Sequence, residues 1–192
     1  MNGDIHRLIS VPQRGLFTLH DYMISKVDHE TGDLSRCDLP QPEKYNGDWP
    51  ITADTDHNRL YAWGYQLRSI DLQTGEVVVH RQGNSGSIVS IAYCDQRKCL
   101  FGISPTSDGL GHSTTTVTRM NLRGADIVHI NLETPICFRG RPQMWVENGQ
   151  LVICGRTLSS PDTHSYVFNP DTGQFLFACR FLPRVTSGMT GR

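Results

Sequence analysis

The chain has 192 residues, of which 38% are hydrophobic, and its formal net charge is -1. This length and composition suit a single domain with its own core or a short array of repeats. The balanced charge lacks the basic character of nucleic-acid-binding proteins, so no nucleic-acid partner is expected. No apolar segment is long enough to cross a bilayer, and residues 1–7 lack the features of a signal peptide. The sequence therefore predicts a cytoplasmic protein without a membrane partner.

Four apolar segments recur along the chain, each within a pattern of strand, tight turn and strand. They are Gly15–Leu19, Arg59–Trp63, Cys99–Ile103 and Gln150–Cys154. Their leucines at positions 16, 60, 100 and 151 are separated by 44, 40 and 51 residues. Self-similarity at this spacing indicates a repeat architecture rather than a single irregular domain.

A second motif follows each apolar segment and reads Asp or Asn, two residues, then Thr-Gly. It spans Asp28–Gly32, Asp71–Gly75 and Asn169–Gly173, while the third repeat keeps only Asn121 and Gly124. Asp and Asn side chains accept hydrogen bonds from nearby backbone N–H groups, and Gly adopts the positive φ that tight hairpins need. The motif therefore predicts a β-turn between the third and fourth strands of each repeat.

Each repeat resolves into four short strands without helical periodicity. In the second repeat we predict strands at 51–55, 59–64, 66–71 and 76–81, and in the fourth at 142–147, 150–155, 165–169 and 175–182. Four strands in about 40–45 residues is the period of a β-propeller blade. The predicted fold is an all-β propeller of four four-stranded blades, with a β-sandwich as the alternative. The predicted blades span about 6–39, 51–81, 88–132 and 142–182 of one domain, followed by a polar tail at 184–192.

The run from Ile70 to Val77 gives this pattern most clearly, as Ile-Asp-x-x-Thr-Gly-x-Val. It resembles the repeats of quinoprotein-like and YVTN-type β-propellers, and the resemblance extends over the whole chain at the level of single blades. The resemblance implies a propeller fold, but such repeats occur in enzymes, ligand binders and scaffolds alike. It therefore assigns no function.

Four blades are compatible with three ways of covering the outer faces of the first and last blades. The four blades close into a small ring, or they form half of a larger propeller completed by a second copy or by more of a longer chain. We place the closed ring ahead of the homodimer. The sequence thus predicts either a monomer or a propeller-completing homodimer.

The cysteines are scattered and include no CxxC pair, so reduced thiols are expected in a cytosolic protein. Cys94 and Cys99 flank the turn 95–98 and are expected to face each other across a hairpin. A disulfide between them would have to satisfy narrow geometry, and none is predicted.

Strand order predicts where a binding site lies. All the long connections, at 41–49, 82–86, 105–113, 133–141 and 156–164, emerge at one end of the blades, and loops on a rigid scaffold commonly carry function. The candidate binding residues in these loops are Tyr45, Trp49, Asp108, His112, Arg139, Arg141, Asp162 and His164.

Two classes of function remain open. The first, which we prefer, is a non-catalytic scaffold that binds a protein partner through the end carrying the long loops. The alternative is a propeller-type lyase or hydrolase that uses a cluster of Asp108, His112, Asp162 and His164. Because no nucleophile elbow, phosphate-binding glycine loop or zinc-protease motif is present, no catalytic residue, metal or cofactor is assigned.

Overall fold

The computed structural model describes residues 7–11, 15–20, 23–37, 50–64, 66–82, 88–107, 113–122 and 126–180. These residues form sixteen β-strands and no helix. The strands are grouped in four antiparallel sheets of four, and each sheet uses four strands that are consecutive in the chain. This arrangement confirms the predicted four-bladed β-propeller and replaces the β-sandwich alternative.

The strands are numbered in chain order. Blade 1 contains β1 (Arg7–Val11), β2 (Gly15–His20), β3 (Met23–Val27) and β4 (Leu34–Cys37). Blade 2 contains β5 (Ile51–Asp54), β6 (Arg59–Trp63), β7 (Gln66–Asp71) and β8 (Val77–Gln82). Blade 3 contains β9 (Ser90–Cys94), β10 (Cys99–Ser107), β11 (Ser113–Asn121) and β12 (Ile127–Ile130). Blade 4 contains β13 (Phe138–Glu147), β14 (Gln150–Thr157), β15 (Thr163–Phe168) and β16 (Phe175–Arg180).

The Thr-Gly turns have the hydrogen bonds that the motif predicts. In blade 2, Asp71 Oδ1 accepts from the backbone N–H of Gln73 at 2.8 Å and of Thr74 at 2.9 Å. Gly75 has a φ of 74° and donates its N–H to the Asp71 carbonyl at 2.8 Å. The same bonds recur around Asp28 in blade 1 and Asn169 in blade 4. An acceptor on the first side chain and a positive φ at Gly together explain the sequence pattern.

Apolar residues pack between successive blades. One cluster joins blades 1 and 2 around Phe17, Ile51 and Leu60. A second joins blades 2 and 3 around Trp63, and a third joins blades 3 and 4 around Phe101. A sheet that packs a neighbour on each face needs apolar residues at consecutive positions, which explains runs such as Leu-Val-Ile-Cys in β14.

Central residues on the outer faces of the first and last blades are also buried. Phe17 on β2 points towards blade 2, so the next residue, Thr18, points to the outer face of blade 1. Thr18 is nevertheless 0% exposed, and its partner Ser25 is 2% exposed. On the face of blade 4 that points away from blade 3, Val152 and its partner Val167 are 6% and 4% exposed. The chain itself therefore covers the centres of both end faces.

Cys94 and Cys99 are paired across the β9–β10 hairpin as the sequence predicts, and both are free thiols. Burial raises the pKa of the Cys99 thiol to about 12. None of the described residues belongs to a helix that is long and apolar enough to span a membrane.

Candidate functional site

The blades expose two ends that differ in their connections. At the short-turn end lie the connections between the first and second and between the third and fourth strands of each blade. At the long-loop end lie the remaining connections, where the sequence places its binding residues. Of these candidates, Tyr45, Trp49, Asp108 and His112 fall outside the described residues.

The other four candidates lie close together at the long-loop end of blade 4. Arg139 and Arg141 belong to β13, His164 belongs to β15, and Asp162 lies in the connection before β15. Three of them therefore lie on strand ends, although the sequence predicts loops there. β13 begins earlier than predicted because its pairing with β14 continues beyond an irregularity between Arg139 and Gln143. Gly140 adopts a φ of 76° at this irregularity, and Arg139 and Phe138 on its far side are again paired with β14.

Asp162 and His164 make local contacts. The Asp162 carboxylate forms an ion pair with the Arg180 guanidinium at 2.8 Å, and Nδ1 of His164 lies 3.2 Å from the Asp162 carbonyl oxygen. The His164 ring also lies against Tyr166, with ring centroids 6.3 Å apart. Their predicted grouping with Asp108 and His112 involves residues outside the described ranges and stays a prediction.

Two arginines face each other at this end. Arg139 on β13 is directly opposite Arg156 on β14, and both are exposed. Neither side chain forms a hydrogen bond or ion pair within the part of the chain that the structure describes. Like charges directly opposite on antiparallel strands destabilise the pairing, so this arrangement costs free energy in the isolated protein.

The short-turn end contains a pocket that the sequence does not predict. Its volume is about 260 Å³, and it lies among the turns between the first and second strands of blades 2, 3 and 4. Blade 2 contributes Asp54, blade 3 contributes Tyr93 and Asp95, and blade 4 contributes Asn148 and Gly149. Carboxylates from two blades therefore converge on one cavity.

Asp54 is the most buried charged group of this pocket, with a side chain that is 3% exposed. Its Oδ1 accepts the backbone N–H of His57 at 3.2 Å, and its Oδ2 lies 2.9 Å from Nδ1 of the His57 ring. The His57 side chain is 54% exposed. A φ of 52° at Asn58 ends this turn, so the backbone holds His57 next to Asp54.

Asp95 stands on the blade 3 side of the pocket and forms an ion pair with Lys98. The Tyr93 hydroxyl donates to Asp95 Oδ1 at 3.4 Å, and the Tyr93 ring stacks on Tyr61 with centroids 5.6 Å apart. Burial, followed by a hydrogen bond with Asp54, raises the pKa of Tyr93 above its usual value. The Lys98 ammonium lowers the pKa of the Asp95 carboxyl. The negative charges of Asp54 and Asp95 raise the pKa of Tyr93 further.

A neighbouring ion-pair network fixes blade 3 against blade 4. Arg97 Nε and Nη2 donate to the two carboxylate oxygens of Asp171 at 3.2 and 2.8 Å, and Arg119 donates to Asp171 Oδ1 at 3.0 Å. Arg97 also donates to the carbonyl of Gly149, which lines the pocket, at 3.3 Å. The hydrogen bond from Arg97 lowers the pKa of Asp171. This network sets the position of the blade 4 turn.

The repeat itself carries a signal for this pocket. Equivalent turns of successive blades emerge around one axis, so acidic residues in two of them are brought close together. The sequence has Asp54 and Asp56 around one such turn and Asp95 in the next. Charged residues in the short turns therefore mark this pocket in the sequence.

Comparison with known proteins gives a fold but no family. No family model matches the chain, and no curated protein matches its sequence. Among solved structures, the chain is similar to hydrazine synthase from Kuenenia stuttgartiensis, with 14% identity and a TM-score of 0.60 over 92% of this chain and 49% of that one. It is also similar to a chain of a nidogen/laminin complex, with 9% identity and a TM-score of 0.63 over 92% of this chain and 65% of that one.

The tricorn protease gives a third similarity, with 15% identity and a TM-score of 0.50 over 85% of this chain and 18% of the protease. In all three cases the chain spans less than two thirds of the solved chain it matches. Identities this low show a shared propeller fold and nothing about shared activity.

Proposed function

We propose that this β-propeller is a non-catalytic scaffold that binds an acidic segment of a protein partner at the long-loop end of blade 4. The facing pair Arg139 and Arg156 carries the proposal. These two guanidinium groups have no partner among the described residues and stand on directly opposite residues, so they repel each other. A carboxylate-rich ligand would replace that repulsion with charge-assisted hydrogen bonds.

The surroundings of this pair have the composition of a protein interface. Arg141 is exposed on the same strand, and Leu158, at 51% exposure, follows β14. The Leu158 N–H donates to the carbonyl of Cys137 at 3.0 Å, which holds this apolar residue beside the start of β13. Arginine is enriched in protein interfaces, and an apolar neighbour supplies the buried contact area.

The comparisons supply one further support for a protein partner. One similar structure is a nidogen/laminin complex, so a chain of this fold occurs in an assembly of two proteins. The preference for an acidic segment comes from the arginines of this chain alone.

Selection of random peptides on the immobilised full chain tests the proposal. We expect the selected peptides to be rich in Asp and Glu, and we expect their affinity to fall as salt rises. Arg156→Glu should weaken the best peptide about tenfold or more, measured by fluorescence anisotropy. The same substitution places opposite charges across from each other, so it should also raise the free energy of unfolding by about 0.2–1 kcal/mol.

Lys26→Glu is the matched control, because Lys26 is exposed on blade 1 and undergoes the same charge change. It should leave peptide affinity unchanged at equal ionic strength. Selected peptides without acidic enrichment, or equal binding by Arg156→Glu and the unmodified protein, would overturn the proposal.

A further inference from the structure

The short-turn pocket has a chemistry of its own, independent of the proposed partner site at the other end of the blades. We propose that Asp54, His57 and Asp95 bind a divalent transition-metal ion of the Zn²⁺ class. The sequence alone predicts no metal, because Asp54 and Asp95 come together only through the packing of two blades.

The geometry brings together three donor atoms from two blades. One imidazole nitrogen of His57 and one carboxylate oxygen each from Asp54 and Asp95 lie within 4.8 Å of one another. A zinc ion bound at about 2.0–2.2 Å from each ligand fits donors at this separation after small side-chain rotations. His57 and Asp95 are 54% and 47% exposed, so these two side chains have room to rotate, while Asp54 is held in place.

The donor set selects the class of ion. An imidazole nitrogen combined with two carboxylate oxygens is typical of zinc and related transition metals, whereas Ca²⁺ and Mg²⁺ prefer oxygen ligands alone. Three protein ligands leave a fourth position for water, and the pocket of about 260 Å³ lined by Asp54 and Asp95 provides space for it.

Lys98 is the group that an ion must displace. Its ammonium forms an ion pair with Asp95 and holds a positive charge at the edge of the donor set. A bound divalent ion would take over the neutralisation of both carboxylates and release Lys98 to solvent. The metal would then tie the first turn of blade 2 to the first turn of blade 3.

Isothermal titration of the full chain with Zn²⁺ tests the site. We expect one ion per chain, and we expect His57→Gln and Asp95→Asn each to weaken binding about tenfold or more. Lys98→Gln should have the opposite effect and tighten binding, because it removes the competing cation. This reversal of sign separates a metal site from general loss of structure, and circular dichroism of each variant checks the fold.

His29→Gln and Asp33→Asn are the matched controls, since both residues are exposed on blade 1. They should leave Zn²⁺ affinity unchanged. Absence of Zn²⁺ uptake, equal uptake by His57→Gln, or weaker binding by Lys98→Gln would overturn the proposal. Uptake of Ca²⁺ that does not depend on His57 would overturn the assignment to a transition metal. None of these outcomes depends on peptide binding at the long-loop end.

Discussion

At the scale of single residues, the Thr-Gly turns show why the repeat tolerates Asp or Asn at one position. The essential feature is an oxygen that accepts two backbone N–H groups, supplied by carboxylates at Asp28 and Asp71 and by an amide at Asn169. The negative charge is therefore an addition to the motif rather than a requirement. Asn169 in blade 4 therefore shows that an uncharged side chain can form the turn that Asp71 forms in blade 2.

This comparison predicts how Asp71 variants behave. Asp71→Ala removes the acceptor and leaves the N–H groups of Gln73 and Thr74 to water, so it should lower the urea midpoint of unfolding. Asp71→Asn keeps an acceptor, as Asn169 does, and should lower the midpoint less at pH 7. Equal midpoints for Asp71→Ala and the unmodified protein would show that the side chain is dispensable.

The pH dependence of the same site has a defined sign. Backbone hydrogen bonds from Thr74 and Gln73 lower the pKa of Asp71 below its ordinary value in the folded protein. Its contribution to stability is therefore present above the unfolded pKa of about 3.9 and is lost as pH falls through the lower folded value. Urea unfolding at pH 7 and pH 3 should show a smaller loss for Asp71→Asn than for the unmodified protein.

At the scale of elements, turns with the same conformation differ in what surrounds them. Gly75 and Gly173 occupy the same motif position with φ of 74° and 75°. A Cβ at Gly75 would meet no atom within 4 Å, whereas one at Gly173 would lie 2.2 Å from the carbonyl oxygen of Asn131. The segment that connects blades 3 and 4 therefore packs directly on the Gly173 turn.

This difference predicts unequal costs for one substitution. Gly75→Ala should destabilise the protein by about 1–2 kcal/mol, the cost of a left-handed conformation with a side chain. Gly173→Ala should cost about 1–3 kcal/mol more, because the connecting segment must also move. Urea denaturation of the two variants measures both values. Equal values would contradict the close packing at Asn131.

Elements were predicted from the sequence more accurately than the site. Blade 2 strands differ from their predicted limits by one residue at most, since turn residues and alternating apolar runs mark both ends. The start of β13 was missed, because the irregular pairing around Gly140 interrupts the pattern. The acidic pocket was missed because Asp54 and Asp95 are about 40 residues apart in sequence and meet only through the packing of blades.

At the scale of the whole molecule, central residues on both end faces are buried, and on this basis we propose the closed ring rather than the half-ring. Thr18 and Ser25 on blade 1 and Val152 and Val167 on blade 4 would be open to solvent if these faces awaited a second copy. The burial of Val152 and Val167 within one chain reduces the apolar area that would drive such pairing.

We therefore expect the protein to be a monomer of 21.6 kDa when size-exclusion chromatography is coupled to light scattering. The mass should stay constant over a wide range of loading concentrations. A mass twice this value would contradict the closed ring and support an eight-bladed dimer.

The assembly of each sheet from four consecutive strands has a consequence for how such a gene can change. A blade corresponds to one uninterrupted stretch of codons. An in-frame duplication or deletion therefore adds or removes a complete sheet and leaves the strand order of the other sheets unchanged. The new interface then resembles the existing ones, since apolar residues pack between each pair of successive blades. Inheritance of this kind changes the size of the ring in whole blades and leaves each Thr-Gly turn intact.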